Sequence, residues 1–569
     1  MRHGGTLAAA LVLVCALASV FGPYLGSDLE RMAPAVRRRH APAAGHPGGP
    51  LGAIDQRFVA WLVARNAWTL LHRPLALFEA EPCYPERNAL TLGEPGIALG
   101  VVAIPAWIAT RDPVATYDLA LPILALLGSL ALFVLVRDWT GLSAAGLVAA
   151  LLFAFHPVRL DEIVHPYAWD NAWAALALFF GVRLCEHRRW RDAIGLSAAG
   201  ALQLASSLYA TLGVVCLGLP ILGWLLGSQR LREQRPLQWV AVALCVGAAA
   251  AACYGPFLAR RAEGALAPRS HQFFLAWSSL APDGAYWPGL ALLTLAGAGL
   301  ALGGSRFPRG ACRDPRWALL LGALLALFAA TGGARVVLSG SAPGDPPTML
   351  VPNLYAWLAR SVPGLDLIRG VSRLYSGVLL ALCILAGLGA AALVRAAPER
   401  WRSAVAAALV LAAGVDTLRP AGLGLSPRVA FEMTEIAPAR KQVEFFQALA
   451  DRNNSGPIAE VPLDRKTQLR NNTAILLSAY HHRRTSACRN SFLPARLGEL
   501  EATLARLPAP GAVQELRDLG FTTIVVHHES GSPRLEALRL RFAQRARDPE
   551  AAIALVHAND ALSAYAITR

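Results

Sequence analysis

Acidic side chains lie at the edges of long apolar blocks in this chain of 569 residues. Asp55 precedes one apolar segment, Glu94 opens a second, and Asp170 lies about one turn into a third. An ionised side chain costs several kcal/mol inside a bilayer unless it is paired or functional. A carboxylate at a membrane surface can remove the proton of an acceptor hydroxyl. Asp55 and Glu94 are therefore the candidate catalytic residues.

Further polar residues lie in a turn between two blocks and at the start of a later block. Arginine binds a phosphate through two parallel N–H donors. Carboxylates and arginines at one membrane surface suit a donor that carries a phosphate on a lipid. The candidate substrate-binding residues from these two places are His156, Arg159, Asp161, Glu162, His165, Arg369 and Arg373, and Asp170 joins them.

Each candidate also has an ordinary structural interpretation. Asp55 could cap the N-terminus of the helix that follows. Glu94 could lie at a helix N-terminus because the helix dipole favours an anion there. The turn from 155 to 165 could be a hydrated loop, and the two arginines could anchor to headgroups.

The composition is that of an integral membrane protein. Hydrophobic residues make up 55% of the chain and charged residues only 16%, against roughly 25% charged in a soluble domain. The apolar residues form blocks about as long as the roughly 20 residues that cross a bilayer. The sequence predicts a mainly α, polytopic transmembrane helical bundle of about 11–13 spans. The blocks lie near 6–26, 92–110, 116–136, 142–157, 167–185, 193–207, 208–227, 237–257, 286–304, 316–333, 372–395 and 403–419.

Arginines supply nearly all of the positive charge, and the net charge is +15. They cluster in short loops between apolar blocks, which is typical of cytoplasmic loops. No basic groove or aromatic-interleaved motif accompanies them, so nucleic-acid binding is not predicted. With all clusters cytoplasmic, the candidate residues and the chain after 420 lie on the non-cytoplasmic face, in our prediction that of a bacterial plasma membrane. The clusters are 183–191, 230–235, 306–316 and 395–402.

The first hundred residues leave the number of crossings open. The run Leu7–Gly22 resembles a signal peptide, but it continues toward Asp28, which favours an uncleaved first helix. The block 92–110 is short and contains two prolines, so it is either re-entrant or tilted. The segment Phe58–Leu71 is interrupted by Arg65 and Asn66, which favours an interfacial helix.

The composition turns polar near 426. We predict a transmembrane domain over 1–425, with a first external loop over 27–91, and a soluble α/β domain over 426–569. Two apolar runs indicate buried strands, and a terminal strand pair follows them. The predicted strands are Ile458–Leu463, Phe521–His528, 552–558 and 562–568, and the predicted helices are 438–451, 494–507, 511–519 and 531–547.

Cys83 and Cys488 are the only cysteines predicted to lie outside the membrane. They are either joined by a disulfide or both unpaired. The adjacent histidines His481-His482 and His527-His528 are poor metal ligands if they lie on strands, because neighbours on a strand point to opposite faces.

Several stretches resemble the bacterial membrane glycosyltransferases of the GT-C superfold. The similarity covers most of the chain in the right order, and each motif is moderately specific. The stretches are Asp55 with the Trp61–Trp68 helix, Leu77–Glu86, Gly93-Glu94, Phe153–Leu160, Ser206–Tyr209, Val362–Arg369 with Ser372-Arg373, Glu460–Leu463 and Gly520–His527.

The resemblance implies a polyprenyl-phosphate-linked sugar donor and an inverting transfer at the external face. It makes Asp55 the best candidate base and Asp28 a weaker one, and it adds Tyr209 to the substrate-binding residues. Pro95 follows Glu94 where relatives often carry histidine. A divalent metal at that place is therefore unsupported, and no other cofactor is predicted.

The leading hypothesis is an inverting membrane glycosyltransferase for cell-envelope glycoconjugates, with membrane lipids and the lipid-linked donor as partners. The alternative is a non-catalytic polytopic membrane protein that assists envelope or polysaccharide assembly. A transporter is disfavoured because the sequence shows no paired halves with broken helices. The sequence indicates no oligomeric state.

Overall fold

The computed structural model describes residues 4–36, 51–227, 236–266, 273–282, 284–303, 305, 314–331, 335–337, 348–350, 354–362, 364–418, 431–450, 456–463, 468–528, 532–548 and 550–568. Helices dominate it and coincide with the apolar blocks, which confirms the mainly α, polytopic fold. The helices are α1 (Gly4–Leu25), α2 (Leu51–His72), α3 (Ile97–Thr110), α4 (Pro113–Thr140), α5 (Ser143–Ala154), α6 (Pro157–Asp161), α7 (Ala172–His187), α8 (Trp190–Ser206), α9 (Leu208–Gly227), α10 (Pro236–Ala262), α11 (Leu290–Leu302), α12 (Pro315–Thr331), α13 (Leu354–Ser361), α14 (Tyr375–Ala396), α15 (Arg402–Leu418), α16 (Arg440–Ala450), α17 (Gln468–His481), α18 (Leu497–Ala505), α19 (Pro510–Asp518) and α20 (Pro533–Arg545).

Many of these helices are apolar enough to cross a membrane. Within the described ranges, six segments have both the length and the composition of a span, and shorter apolar helices accompany them. The six are 113–140, 143–161, 208–225, 236–262, 371–396 and 399–418.

The helix α4 shows how local sequence sets such boundaries. Pro113 occupies its first turn, and the Asp112 carboxylate accepts hydrogen bonds from the backbone N–H groups of residues 114 and 115 at 2.8 and 2.9 Å. Gly141 ends the helix in the left-handed conformation, with φ of 74°. Tyr480 donates a hydrogen bond to the other Asp112 oxygen at 2.9 Å. The cap of α4 thus also holds the C-terminal part of the chain.

Helix ends that carry arginines lie together at one end of the bundle. Arg183 at the end of α7 contacts Asp138 near the end of α4 at 3.4 Å. Arg395 at the end of α14 donates to the carbonyl of Thr140. The side chain of Gln238, at the start of α10, donates to the backbone after α7 at 3.0 Å. Which side of the membrane this end faces stays a prediction.

The helix α2 is packed inside the protein. Its residues 59–67 are all buried, and the helix packs against α3, α4 and α17. Arg65 donates to the backbone carbonyls of Leu77 and Glu79 at 2.5 and 2.9 Å, and Asn66 donates to Pro95 at 2.7 Å. The two polar residues therefore hydrogen-bond to a packed loop, and the place of α2 at the membrane interface stays a prediction.

The C-terminal residues form a small mixed sheet with helices against it. Its strand order is β5-β6-β8-β7, with β5 and β6 parallel and the other pairs antiparallel. The strands predicted from sequence are present, and α17 is an unpredicted helix. The strands are β1 (Met32–Val36), β2 (Arg335–Val337), β3 (Thr348–Leu350), β4 (Phe431–Glu435), β5 (Ile458–Val461), β6 (Thr523–His527), β7 (Ile553–Ala558) and β8 (Leu562–Ile567).

Several contacts join the described part of residues 27–91 to the C-terminal residues. β1 pairs with β4 in antiparallel register. Arg57 on α2 donates to the backbone of Ile436 at 2.8 Å. A disulfide joins Cys83 to Cys488, which resolves the two alternatives for these cysteines. The described part of residues 27–91, which includes α2, therefore packs against the C-terminal residues.

Candidate functional site

Asp55 lies in the second turn of α2, with its side chain 41% exposed. One carboxylate oxygen, Oδ1, is 2.9 Å from Nη2 of Arg489, and the other, Oδ2, is 3.8 Å from Nε2 of His165. Because α2 begins at Leu51, Asp55 is not its N-cap, and that structural interpretation is wrong. The carboxylate instead joins groups from three distant parts of the chain.

A line of charged groups continues from Asp55 toward the start of α14. His165 Nδ1 lies 3.6 Å from Oε2 of Glu162, and the same oxygen lies 3.2 Å from Nη2 of Arg373. The Arg373 guanidinium also stacks over the ring of Tyr209 at 5.2 Å. The structure thus brings together five residues that the sequence nominated separately.

Glu94 lies beside the same line, against the break between α8 and α9. Its Oε2 accepts from the backbone N–H of Leu208 at 3.4 Å, and the Ser207 hydroxyl also hydrogen-bonds to the carboxylate. Burial raises the pKa of Glu94, although the hydrogen bond from Ser207 and the charge of Arg373 oppose the rise. Glu94 precedes the N-cap of α3, Gly96, so it interacts with the N-terminus of α9 rather than with that of its own helix.

A pocket opens around Arg373 at the start of the 371–396 span. The buried hydroxyl groups of Tyr375 and Ser376 face it and have no hydrogen-bond partner within the described part of the chain. Buried polar groups are normally hydrogen-bonded, so this pocket offers donors to a ligand. Its lining residues are Val158, Arg159, Glu162, Tyr286, Ser372, Arg373, Tyr375, Ser376 and Leu379.

Asp170 lies in a buried cluster just beyond Glu94. It accepts from Ser206 at 3.0 Å and from Trp173 at 3.1 Å. Burial raises its pKa to about 6, against the effect of these hydrogen bonds and of the charge of Arg159. Asp170 precedes α7 rather than lying one turn inside it, so the prediction of its place in the helix is wrong. The adjacent hydroxyls of Ser206 and Ser207 connect it to Glu94.

Other nominated residues have structural surroundings. His156 caps α6 by accepting from the Val158 backbone at 3.2 Å, and its other ring nitrogen lies 2.8 Å from the carbonyl of Pro288. Asp28 is exposed and accepts from the backbone of Glu30 at 3.3 Å. Arg369 is exposed and stacks over the ring of Phe273 at 5.0 Å.

Two nominated residues, Arg159 and Asp161, lie on α6. Arg159 is buried, with its guanidinium 3.8 Å from the centroid of the Phe153 ring. Asp161 is the last residue of α6, next to Glu162, and is partly exposed.

The sequence did not nominate Arg489 or Tyr167. Arg489 is 434 residues from its partner Asp55, a separation that motif spacing cannot bridge. The feature of the sequence that could have indicated its place near Asp55 was the neighbouring Cys488. The pairing of Cys488 with Cys83 was left open by the sequence. Tyr167 is buried among Glu94, Asp55 and Arg373, and burial raises its pKa.

The histidine pairs differ from the strand interpretation in one case. His481 ends α17 and His482 follows it with φ of 52°, so this pair lies at a helix end. His527 ends β6, as predicted, and contacts Glu460 at 2.6 Å. Within the described ranges, no group of three or more His, Cys, Asp or Glu residues could hold a metal ion.

Comparison with known proteins gives a low structural similarity. No protein-family profile matches the chain, and no curated protein matches it in sequence. Two crystal structures of ArnT from Cupriavidus metallidurans are similar to it, and ArnT is a glycosyltransferase of the GT-C superfold. The one bound to undecaprenyl phosphate has a TM-score of 0.45 and 13% identity, covering 100% of this chain and 99% of that chain. The apo structure has a TM-score of 0.45 and 12% identity, covering 100% and 98%.

Both values are too low to support a functional inference. The function proposed below therefore rests on the side chains of this protein.

Proposed function

We propose that this protein is an inverting membrane glycosyltransferase that takes its sugar from a polyprenyl phosphate. One observation carries the proposal. An accessible carboxylate, Asp55, and a cation beside a polar pocket, Arg373, lie on either side of the His165–Glu162 pair at one end of an apolar bundle. These are the two groups that such a transfer needs, and the residues that carry them come from different helices.

The Arg373 pocket suits the phosphate of the donor. Arg373 offers a guanidinium, and Tyr375 and Ser376 offer hydroxyl groups that lack partners among the described residues. The pocket opens at the beginning of the 371–396 span. A phosphate held here would leave its hydrocarbon chain at the level of the bilayer, alongside the helices.

Asp55 suits the proton transfer. In the proposed reaction its carboxylate takes the proton of the acceptor hydroxyl as that oxygen forms a bond to the anomeric carbon of the sugar. The bond between the anomeric carbon and the lipid phosphate oxygen breaks, and its electron pair leaves with the phosphate. Arg373 stabilises the charge that develops on the phosphate. Attack opposite the leaving group inverts the anomeric centre.

His165 and Glu162 position the two ends of the site. The imidazole lies between the Asp55 and Glu162 carboxylates at 3.8 and 3.6 Å, and Glu162 orients Arg373 through a contact at 3.2 Å. Both side chains are partly exposed, so they can also contact the sugar. We propose that the acceptor belongs to the envelope of a bacterial cell, on the non-cytoplasmic side of the plasma membrane.

A non-catalytic role in envelope assembly is the second candidate, and one observation favours it. Asp55 already pairs with Arg489 at 2.9 Å, which would suffice as a structural contact between α2 and the C-terminal residues. The two candidate functions predict different results: a glycosyltransferase loses turnover when the Asp55 carboxylate is removed, whereas a non-catalytic protein shows no turnover to begin with.

The test is turnover of purified protein with a panel of polyprenyl-phosphate sugars, in the presence of a bacterial envelope extract that supplies the acceptor hydroxyl. Wild type should release lipid phosphate from at least one donor, and Asp55→Asn should abolish release while the protein stays folded. Asp28→Asn is the matched control, because Asp28 is exposed and caps its own turn, and it should keep full activity. Full activity of Asp55→Asn would exclude Asp55 as the base, and inactivity of wild type with every donor would favour the non-catalytic role.

A further inference from the structure

Arg489 reaches the Asp55 carboxylate from the C-terminal part of the chain. The contact between its Nη2 and Asp55 Oδ1 is 2.9 Å, with the two side chains 28% and 41% exposed. An exposed ion pair of this kind adds little stability, on the order of 1 kcal/mol or less. Its consequence is geometric, because Arg489 fixes one carboxylate oxygen and leaves the other facing His165.

The backbone on both sides of Arg489 is held in place. Cys488 is bonded to Cys83, and the Asn471 side chain accepts from its N–H at 2.9 Å and donates to its carbonyl at 2.6 Å. Further along, the N–H of Phe492 donates to the carbonyl of Leu92 at 2.7 Å. Arg489 therefore projects from a short segment that is fastened at both ends.

The same segment also packs against the loop that carries Glu94. A Cβ atom at Gly93 would lie 2.0 Å from Oδ1 of Asn490, so Asn490 packs directly on the residue before Glu94. On the other side of the disulfide, Cys83 donates to the carbonyl of Ala487 at 2.9 Å. The segment 487–492 thus contacts Asp55 through Arg489 and the loop of Glu94 through Asn490.

We propose that Arg489 is a positioning residue for Asp55, and that the Cys83–Cys488 disulfide keeps it there, so that the site is complete only while this disulfide is closed. The effect of this arrangement on kinetics rests on the proposed function. The position of the carboxylate is a separate property, which can be measured whether or not the protein transfers sugar.

The first measurement is carboxyl footprinting of the full-length protein, with a carbodiimide and glycine ethyl ester, read at Asp55 by mass spectrometry. Arg489→Ala and the paired change Cys83→Ser with Cys488→Ser should both label Asp55 faster than wild type, because the guanidinium no longer covers the carboxylate. Arg489→Lys should restore part of the protection. Arg496→Ala is the control, since Arg496 is exposed just before α18, and it should label like wild type.

The second measurement is kinetic. Arg489→Ala should lower kcat by about 100-fold, the scale of loss when a reacting group is misplaced by about an ångström, and it should leave KM for the donor nearly unchanged. Arg489→Lys should recover part of kcat, and the paired cysteine variant should behave like Arg489→Ala.

The outcomes separate the two proposals. Unchanged labelling of Asp55 in Arg489→Ala and in the cysteine variant overturns the positioning role, and so does a normal kcat of Arg489→Ala. A third outcome is that both variants label Asp55 faster but the wild-type protein turns over no donor. That result would support the positioning role and contradict the proposed transfer.

Discussion

Arg369 and Arg373 lie four residues apart at the start of the same span, but their surroundings differ. Arg373 contacts Glu162 and Tyr209 inside the site and lines the pocket. Arg369 is exposed and stacks on Phe273. At the scale of single residues, burial and partners therefore distinguish an arginine that lines the pocket from one at the surface.

This difference predicts unequal effects on donor binding. Arg373→Ala should raise Kd for a polyprenyl phosphate by about ten- to a hundredfold, because a hydrogen bond to a charged group is worth about 1.5–3 kcal/mol. Arg369→Ala should change Kd by less than about tenfold. Isothermal titration calorimetry of both variants in detergent measures these Kd values. An equal loss of affinity in the two variants would place the phosphate elsewhere.

Sequence reasoning found the acidic residues and several of their partners, but not Arg489, which pairs with Asp55. Asp55, Glu94 and Glu162 were visible because a carboxylate beside an apolar block is unusual. Arg489 could not be identified because no feature of its own segment distinguishes it from other arginines. It joins the site only because the folded C-terminal residues pack against α2. The place of Asp170 before α7 depended on a short turn at 166–169, which hydropathy does not distinguish from the span.

At the scale of elements, the bundle depends on close helix crossings. Glycines on α11 and α14 face each other's backbone. A Cβ atom at Gly389 would lie 1.9 Å from the carbonyl oxygen of Leu295, and one at Gly299 would lie 2.1 Å from that of Leu385. Small residues allow such approach between membrane helices. The apolar pattern predicted both helices, but it could not predict which faces meet.

Gly389→Ala should therefore destabilise the bundle, by about 1–3 kcal/mol as overpacked cores do. Gly297→Ala, on α11, is the matched control because nothing lies within 4 Å of its added Cβ atom. Thermal unfolding in detergent measures the difference. Equal midpoints for the two variants would show that α11 and α14 do not cross at Gly389.

The end of α17 couples the C-terminal residues to α2 through stacked rings. His482 stacks on Trp68 with centroids 3.9 Å apart. Burial lowers the pKa of His482 to about 4, and the positive charges of His72, Arg65 and Arg73 add to the effect. The folded state therefore favours the neutral ring.

Acid should weaken this junction. Because the folded pKa is below the unfolded value of 6.5, the stabilisation is present above pH 6.5 and is lost as the pH falls toward about 4. The loss amounts to about 3 kcal/mol at most. His482→Phe keeps a ring in the stack and should reduce the loss of unfolding free energy between pH 7 and pH 5. An unchanged pH dependence in the variant would assign the acid sensitivity to other groups.

At the scale of the whole molecule, the site and the arginine-bearing helix ends occupy opposite ends of the bundle. The contacts of Arg183 and Arg395 join helix ends at 138–140, whereas Asp55, Glu94 and Arg373 precede or lie near helix starts at the other end. The positive-inside rule assigns the arginine end to the cytoplasm. We therefore propose that the C-terminal residues lie outside, where the Cys83–Cys488 disulfide would be chemically stable.

Cysteine labelling tests this orientation. In a background in which every cysteine except Cys83 and Cys488 is serine, Arg496→Cys should react with a membrane-impermeant maleimide in intact cells. Arg189→Cys, in the exposed turn between α7 and α8, should react only after permeabilisation. The reverse pattern would place the candidate site in the cytoplasm.

The most direct test of the proposed function follows the sugar itself. With a polyprenyl-phosphate sugar of known anomeric configuration, wild type should give a product whose anomeric centre, read by NMR, is inverted. Asp55→Asn should leave the sugar on the lipid. Retained configuration, or equal product formation by Asp55→Asn, would contradict an inverting transfer in which Asp55 takes the proton.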